Sequence, residues 1–225
     1  MPLKYTFLLC LLAVTALDAQ SATPGTIQAN GNATVTVSPD QAQISIGVVT
    51  QGTTAQAASQ QNATVSTAVQ TAIQGVLGSN GTVQTIGYSV YPQYASGTPA
   101  TIVGYSASNT VQVTTYDLSN VGKLIDTANA AGANSVGGIT FGLRNPDPYV
   151  SQALTTASKQ ALTYASAIAA GLGGKVGAVV SAQQGSSYAP VATGVVAGPG
   201  ATATPVQTGS VNVTANVTVT AQLTQ

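Results

Sequence analysis

Val211-Asn212-Val213-Thr214-Ala215-Asn216-Val217-Thr218-Val219-Thr220 alternates an apolar residue with Asn or Thr at every step. Successive side chains of a strand point to opposite faces, so this run reads as a strand with one face buried and one wet. The same period of two recurs near the other end of the chain, in Ala33 to Val37 and in Ala42, Ile44, Ile46 and Val48. Pro39-Asp40 separates those two runs and reads as a short turn joining them. A one-sided alternation of this kind belongs to antiparallel sheet.

Working inward, the period changes. Thr54 to Leu77 is expected to be a helix, with Ala58, Val65, Val69, Ala72 and Val76 on its apolar stripe, closed by Gly78-Ser79-Asn80-Gly81. Val83 to Gln93 and Ile102 to Tyr116 form a strand pair, linked through Ser96-Gly97-Thr98-Pro99. Tyr105, Ala107, Asn109, Val111 and Val113 share one face of the second strand. Asp117 caps a helix whose stripe is Val121, Leu124, Ile125, Ala128 and Ala131. Val136 to Leu143 is a strand. Asn145-Pro146-Asp147-Pro148 then opens a long helix, striped by Val150, Leu154, Ala157, Ala161, Ala165, Ile168 and Leu172, and Lys175 to Gln184 is a strand. The order β-β-α-β-β-α-β-α-β-β predicts an α+β fold of antiparallel sheets packed with helices. Residues 185–209 are rich in Gly, Ala, Pro, Thr and Ser and are expected to be a mobile low-complexity loop.

The start reads as a signal peptide over residues 1–21. Lys4 supplies the positive charge, Phe7 to Val14 the apolar centre, and Ala16, Ala19, Ser21 and Ala22 the small residues around a cleavage point. The apolar run is shorter than the roughly 20 residues a membrane span needs. Cys10, the only cysteine, lies inside it, so residues 22–225 form a single domain without thiol or disulfide chemistry. The expected location is the periplasm or the medium, with no transmembrane span in the mature chain.

Charged residues make up 4% of the chain, with five basic, five acidic and no His. A typical soluble domain carries about 25%. Net neutrality without basic clusters argues against nucleic acid and against docking on anionic membranes. A surface of Thr, Ser, Gln and Asn resists self-association weakly, so a homo-oligomer is expected. Nucleophile systems that need His or a mature Cys are excluded. The remaining carboxylates are Asp40, Asp117, Asp126 and Asp147, and turns or caps account for Asp40, Asp117 and Asp147. No catalytic, metal or cofactor residues are assigned. Gly171-Leu172-Gly173-Gly174-Lys175 lacks the spacing of a phosphate loop and follows a helix, so it reads as a helix terminator. Asn32, Asn62, Asn80, Asn212 and Asn216 stand in N-x-Thr sequons.

Several short motifs, taken in order, resemble one family. They are Val37-Ser38-Pro39-Asp40-Gln41-Ala42, Tyr88-Ser89-Val90-Tyr91-Pro92-Gln93-Tyr94, and Gly104-Tyr105-Ser106-Ala107-Ser108-Asn109. Ala131-Gly132-Ala133-Asn134, Gly138-Ile139-Thr140-Phe141-Gly142-Leu143 and Leu172-Gly173-Gly174-Lys175-Val176-Gly177 follow. Their spacing over residues 29–222 is similar to that of the SIMPL-domain proteins, exported bacterial periplasmic or envelope proteins. The resemblance implies export, large homo-oligomers, no accepted enzymatic activity, and a link to oxidative-stress defence. Such defence would be indirect here, because the mature chain has no Cys and no Met. This chain departs from the family in its scarcity of charge and in Ser106, where the family often has Arg.

The expected function is therefore that of a non-enzymatic envelope protein acting by self-assembly or by binding an envelope protein or glycan. A secreted adhesin or surface-layer component is the alternative, and an Asp-based hydrolase a remote one. Tyr88, Tyr91, Tyr94 and Tyr105 are the candidate interaction surface, since their rings lie on the predicted strand pair. Tyr is equally a good strand former, which accounts for them without a ligand.

Overall fold

Pro39 is the point at which the chain leaves one sheet and enters another. The computed structural model describes residues 25–97, 99–185, 192–193, 195–196 and 206–225. The expected signal peptide, with Cys10, and much of the 185–209 segment lie outside the described residues. Strand β1 (Thr26–Val37) precedes Pro39, and β2 (Gln41–Gly52) follows it. Helix α1 (Ala55–Leu77), strands β3 (Gly81–Tyr94) and β4 (Ile102–Thr115), a 3₁₀ turn (Leu118–Asn120) and helix α2 (Val121–Ala130) come next. Strand β5 (Ser135–Gly142), helix α3 (Asp147–Gly171) and strand β6 (Lys175–Gln184) complete the middle. Three two-residue strands, β7 (Ala192–Thr193), β8 (Val195–Val196) and β9 (Val206–Gln207), precede β10 (Val211–Thr224). This is the α+β fold expected, with every strand pair antiparallel.

The two sheets are separate. The larger runs β3-β4-β2-β5-β7 and the smaller β1-β10-β6, while β8 pairs with β9 alone. The Pro39-Asp40 turn thus does not join a hairpin, contrary to the sequence reading. The backbone N–H of Asp40 donates to Gly142 O at 3.0 Å, which commits the chain to the edge of β5. β1 instead pairs along its whole length with β10, from Thr26 opposite Gln222 to Val37 opposite Val211. β1 is also longer than Ala33 to Val37. Asn30, Gly31 and Asn32 are poor strand formers, and tertiary packing sets Gly31. A Cβ there would come 1.9 Å from Ala157 O and 2.6 Å from Ala161 N on α3.

That close approach explains the stripe of α3. Its buried residues are Ala153, Ala157, Ala161, Ala165 and Ala169. The predicted stripe includes Ile168 and Leu172, and both are exposed. Only a methyl group fits between this helix and a sheet it nearly touches, so the larger residues are turned outward. Ala157 and Ala161 pack with Val217 and Val219, and Ala165 and Ala169 with Ile27 and Ala29.

On the larger sheet α1 lies over β2 and β4. Ile44, Ile46, Val69, Ile73, Val111, Val113, Leu124, Ile139 and Phe141 form its core with α2 alongside. The stripe of α1 is rotated from the predicted one. Ala58, Asn62, Ser66, Val69, Ile73 and Leu77 are buried, whereas Val65, Ala72 and Val76 sit at its margin. Asn62 is fully buried. Its Nδ2 donates to Val48 O at 2.8 Å and to Ala107 O at 3.1 Å, and its Oδ1 accepts from Ser66 Oγ at 3.2 Å. One amide therefore ties the helix to two adjacent strands. A polar group is tolerated at this depth because its hydrogen bonds are made.

The ends follow local rules. Thr54 caps α1, its hydroxyl accepting from Ala57 N–H at 3.1 Å. Asp117 caps the 3₁₀ turn before α2 by accepting from Ser119 N–H. Gly132, at φ +109, lets the chain leave α2. Asn134 then lies against β2, its side-chain amide donating to Val49 O at 2.7 Å and accepting from Val49 N–H at 2.8 Å, as a strand backbone would.

Three stability outcomes are expected from urea unfolding followed by circular dichroism. Gly31→Ala lowers stability by about 2–3 kcal/mol, the upper range for overpacking. Gly75→Ala on α1, where a new Cβ meets nothing within 4 Å, raises it by about 0.5–1 kcal/mol. Asn62→Ala is expected to cost about 2–3 kcal/mol, since it removes the buried hydrogen bonds to Val48 O and Ala107 O and the partner of Ser66. A cost near zero would show that the amide is dispensable.

Candidate functional site

The two ends of the larger sheet differ in chemistry. At one end the β3–β4 ribbon runs past its neighbour. β2 stops at Gly52, opposite Tyr105. β3 and β4 continue pairing through Pro92 opposite Tyr105, Gln93 opposite Gly104 and Tyr94 opposite Ile102. Ala95 N–H donates to Thr101 O at 2.9 Å and closes the tip. Along this ribbon Ile86, Tyr88, Tyr91, Tyr94, Ile102 and Val103 are each more than half exposed.

The four tyrosines singled out in the sequence share this ribbon, but not one face of it. Directly opposed residues of an antiparallel pair project to the same side. Tyr88 stands opposite Asn109, and Tyr105 lies two steps of two from Asn109 on β4. Both rings therefore project to the α1 side of the sheet, and Tyr105 is half-buried there. Tyr91 stands opposite Ser106 and projects to the other side. Tyr94 lies beyond a register irregularity at the tip. Tyrosines thus flank both sides of an edge strand. Among the described residues β4 is the only ladder partner of β3.

At the other end of the sheet is an open surface cavity of about 510 Å³ lined by Asp40, Gln41, Tyr116, Arg144 and Asn145, the first and last two of them exposed. Three chain segments meet there: the β1–β2 crossover, the end of β4 and the β5–α3 connection. The Arg144 backbone N–H donates to Asp40 Oδ1 at 2.7 Å, and Gln41 Nε2 donates to Leu143 O at 3.2 Å. Tyr116 N–H donates to Asn80 O at 2.8 Å, which fixes the ring's attachment. The Arg144 guanidinium lies over that ring, with Cζ 3.8 Å from its centre, within cation–π range. In the sequence Asp40 reads as a turn residue, and Arg144 belongs to no basic cluster. The crossing of two connections brings them together, and no short-range spacing encodes that.

The four aspartates named in the sequence stand on four different segments. Asp40 lines the cavity. Asp117 binds its own turn through Ser119 Oγ and Asn120 Nδ2, both at 2.6 Å. Asp126 lies on α2, and Asp147 opens α3 with its N–H donated to Asn145 Oδ1 at 3.1 Å. Among the described residues there is no group of three His, Cys, Asp or Glu placed to hold a metal ion. No described helix is long and apolar enough to cross a membrane. Of the N-x-Thr asparagines, Asn62 is buried and cannot receive a glycan in the folded chain.

Comparison with known proteins sets these features in a family. The chain is 30% identical over 163 residues to the "26 kDa periplasmic immunogenic protein" of Brucella melitensis biotype 1, covering 70% of this chain and 65% of that protein. It is 35% identical over 88 residues to the "Uncharacterized protein YggE" of Escherichia coli K12, covering 39% of this chain and 36% of that one. The chain thus spans less than two thirds of the length of either relative. The sequence profile of the family SIMPL, described as a protein of unknown function (DUF541), matches residues 27–221. That match covers both sheets and all three helices, and the chain belongs to the SIMPL family.

Proposed function

We propose that this chain is an exported envelope protein that acts by binding and not by catalysis, and that it assembles with copies of itself through strand β3. The observation that carries the reading is the open fourteen-residue edge of β3, with exposed aromatic and aliphatic side chains along it. A long strand edge offers unpaired backbone N–H and C=O groups to another strand. Proteins commonly blunt such an edge with charge, yet β3 has no charged residue. Exposed apolar clusters of this kind mark contact surfaces. A second copy presents the same uncharged edge, and antiparallel pairing of two identical edges closes a two-fold contact.

Export is supported by the leader-like start of the sequence and by the name of the Brucella relative, which calls that protein periplasmic. Binding in place of catalysis is supported by the dispersal of the carboxylates over separate segments, each with a local hydrogen-bonding task or an exposed position. Any contribution to stress defence would then come through the assembly, since no thiol or thioether remains past residue 22.

Light scattering on the purified protein tests this. The expected result is a discrete multimer of the chain, and a protein with both Ile86→Lys and Tyr91→Lys should be monomeric with an unchanged circular dichroism spectrum. A monomeric unaltered protein would overturn the assembly reading, and so would a multimer indifferent to both lysines.

A further inference from the structure

The cavity at the Gln41 end of the larger sheet holds two opposite charges that do not neutralise each other. Arg144 is the only arginine of the chain. Its guanidinium lies over Tyr116, with Cζ 3.8 Å from the ring centre. Stacking uses a face of that planar group and leaves its in-plane N–H donors for an acceptor. Among the described residues, no carboxylate forms an ion pair with it. Asp40 is engaged through Oδ1 alone, by the Arg144 backbone N–H, and its second oxygen has no cationic partner among them either.

The two amides beside these charges are oriented by their own hydrogen bonds. Gln41 Nε2 is taken by Leu143 O, so its Oε1 remains as an acceptor. Asn145 Oδ1 is taken by Asp147 N–H, so its Nδ2 remains as a donor. The cavity wall therefore has an acceptor pair at residues 40 and 41 and a donor pair at residues 144 and 145. A simple anion would meet Asp40 as well as Arg144, and a simple cation the reverse. A molecule carrying both charges meets each with its opposite.

The geometry points to a binding site for a zwitterion, a free amino acid or a short peptide. Its carboxylate is held by the Arg144 fork and Asn145, and its ammonium by Asp40 and Gln41. A guanidinium fork matches a carboxylate in two parallel hydrogen bonds. A volume of about 510 Å³ falls within the usual range for small-molecule sites. This site lies at the opposite end of the sheet from the β3–β4 tip and is independent of assembly there.

Triglycine is a suitable probe, with N-acetyl-triglycine and triglycinamide as partners that each lack one charge. Amide chemical shifts of the purified protein should move saturably with triglycine at Gln41, Tyr116, Arg144 and Asn145. Each capped peptide should bind more weakly, by up to about fivefold, the upper range for one exposed ionic contact. Arg144→Gln and Asp40→Asn should each weaken triglycine similarly, and the new Asn side chain keeps an acceptor for the Arg144 N–H. Shifts that do not saturate by about 20 mM, or capped peptides that bind as well as triglycine, would overturn the assignment. The capped peptides act on the unaltered protein, so their outcome does not depend on how the variants fold.

Discussion

The side-chain amide of Asn62 joins one helix to two strands at the middle of the larger sheet, and the arrangement of that half depends on it. An apolar stripe on α1 could slide along the sheet by part of a turn at little cost, because dispersion contacts are individually weak and non-directional. Hydrogen bonds to Val48 O and Ala107 O are directional and stop that sliding. Ser66, one turn further along, holds the amide oxygen and completes the group. The smaller half uses steric keying instead. Gly31 leaves a gap that the backbone of α3 at Ala157 fills. In a chain with so few charges, orientation comes from buried amides and from shape, with ion pairs in a minor part.

Economy of charge also explains why the two ends of the larger sheet look so different. The polar residues of the chain are mostly Thr, Ser, Asn and Gln, with few charges among them. Against that background one arginine over one tyrosine, with one aspartate beside them, is a strong local feature. At the far end the uncharged background itself is the feature. A strand edge that carries no charge lacks one of the devices that keep a second strand away.

The elements are largely legible in the sequence because period two and the helical period alternate cleanly along it. Val211 to Thr220 has no competing interpretation. The helix faces are legible only in part. On α1 the apolar residues alone point to Val65 and Val76, while the true face passes through Asn62 and Ser66. A buried Asn looks like a surface residue until its acceptors are known. On α3 the bulky residues mislead for the opposite reason. Burial there is limited by distance, and the smallest side chains win it. The cavity is not legible at all. Asp40 and Arg144 are far apart in the chain and meet only because Pro39 sends the chain from the smaller sheet to the edge of β5. The tyrosines stand out by type, but their division between two faces depends on register.

The pairing of β1 with β10 carries a consequence for the time course of folding. Thr26 waits for Gln222, about two hundred residues later. Contacts of such sequence separation close slowly, since a long loop must be ordered before they form. The β3–β4 ribbon and its helix neighbours are local by comparison and can form early. β1 therefore remains a bare, uncharged strand through much of the folding reaction, able to pair wrongly with any strand it meets. The smaller sheet would be the last part to close, and the slowest step in making this protein would be the search of its first strand for its last.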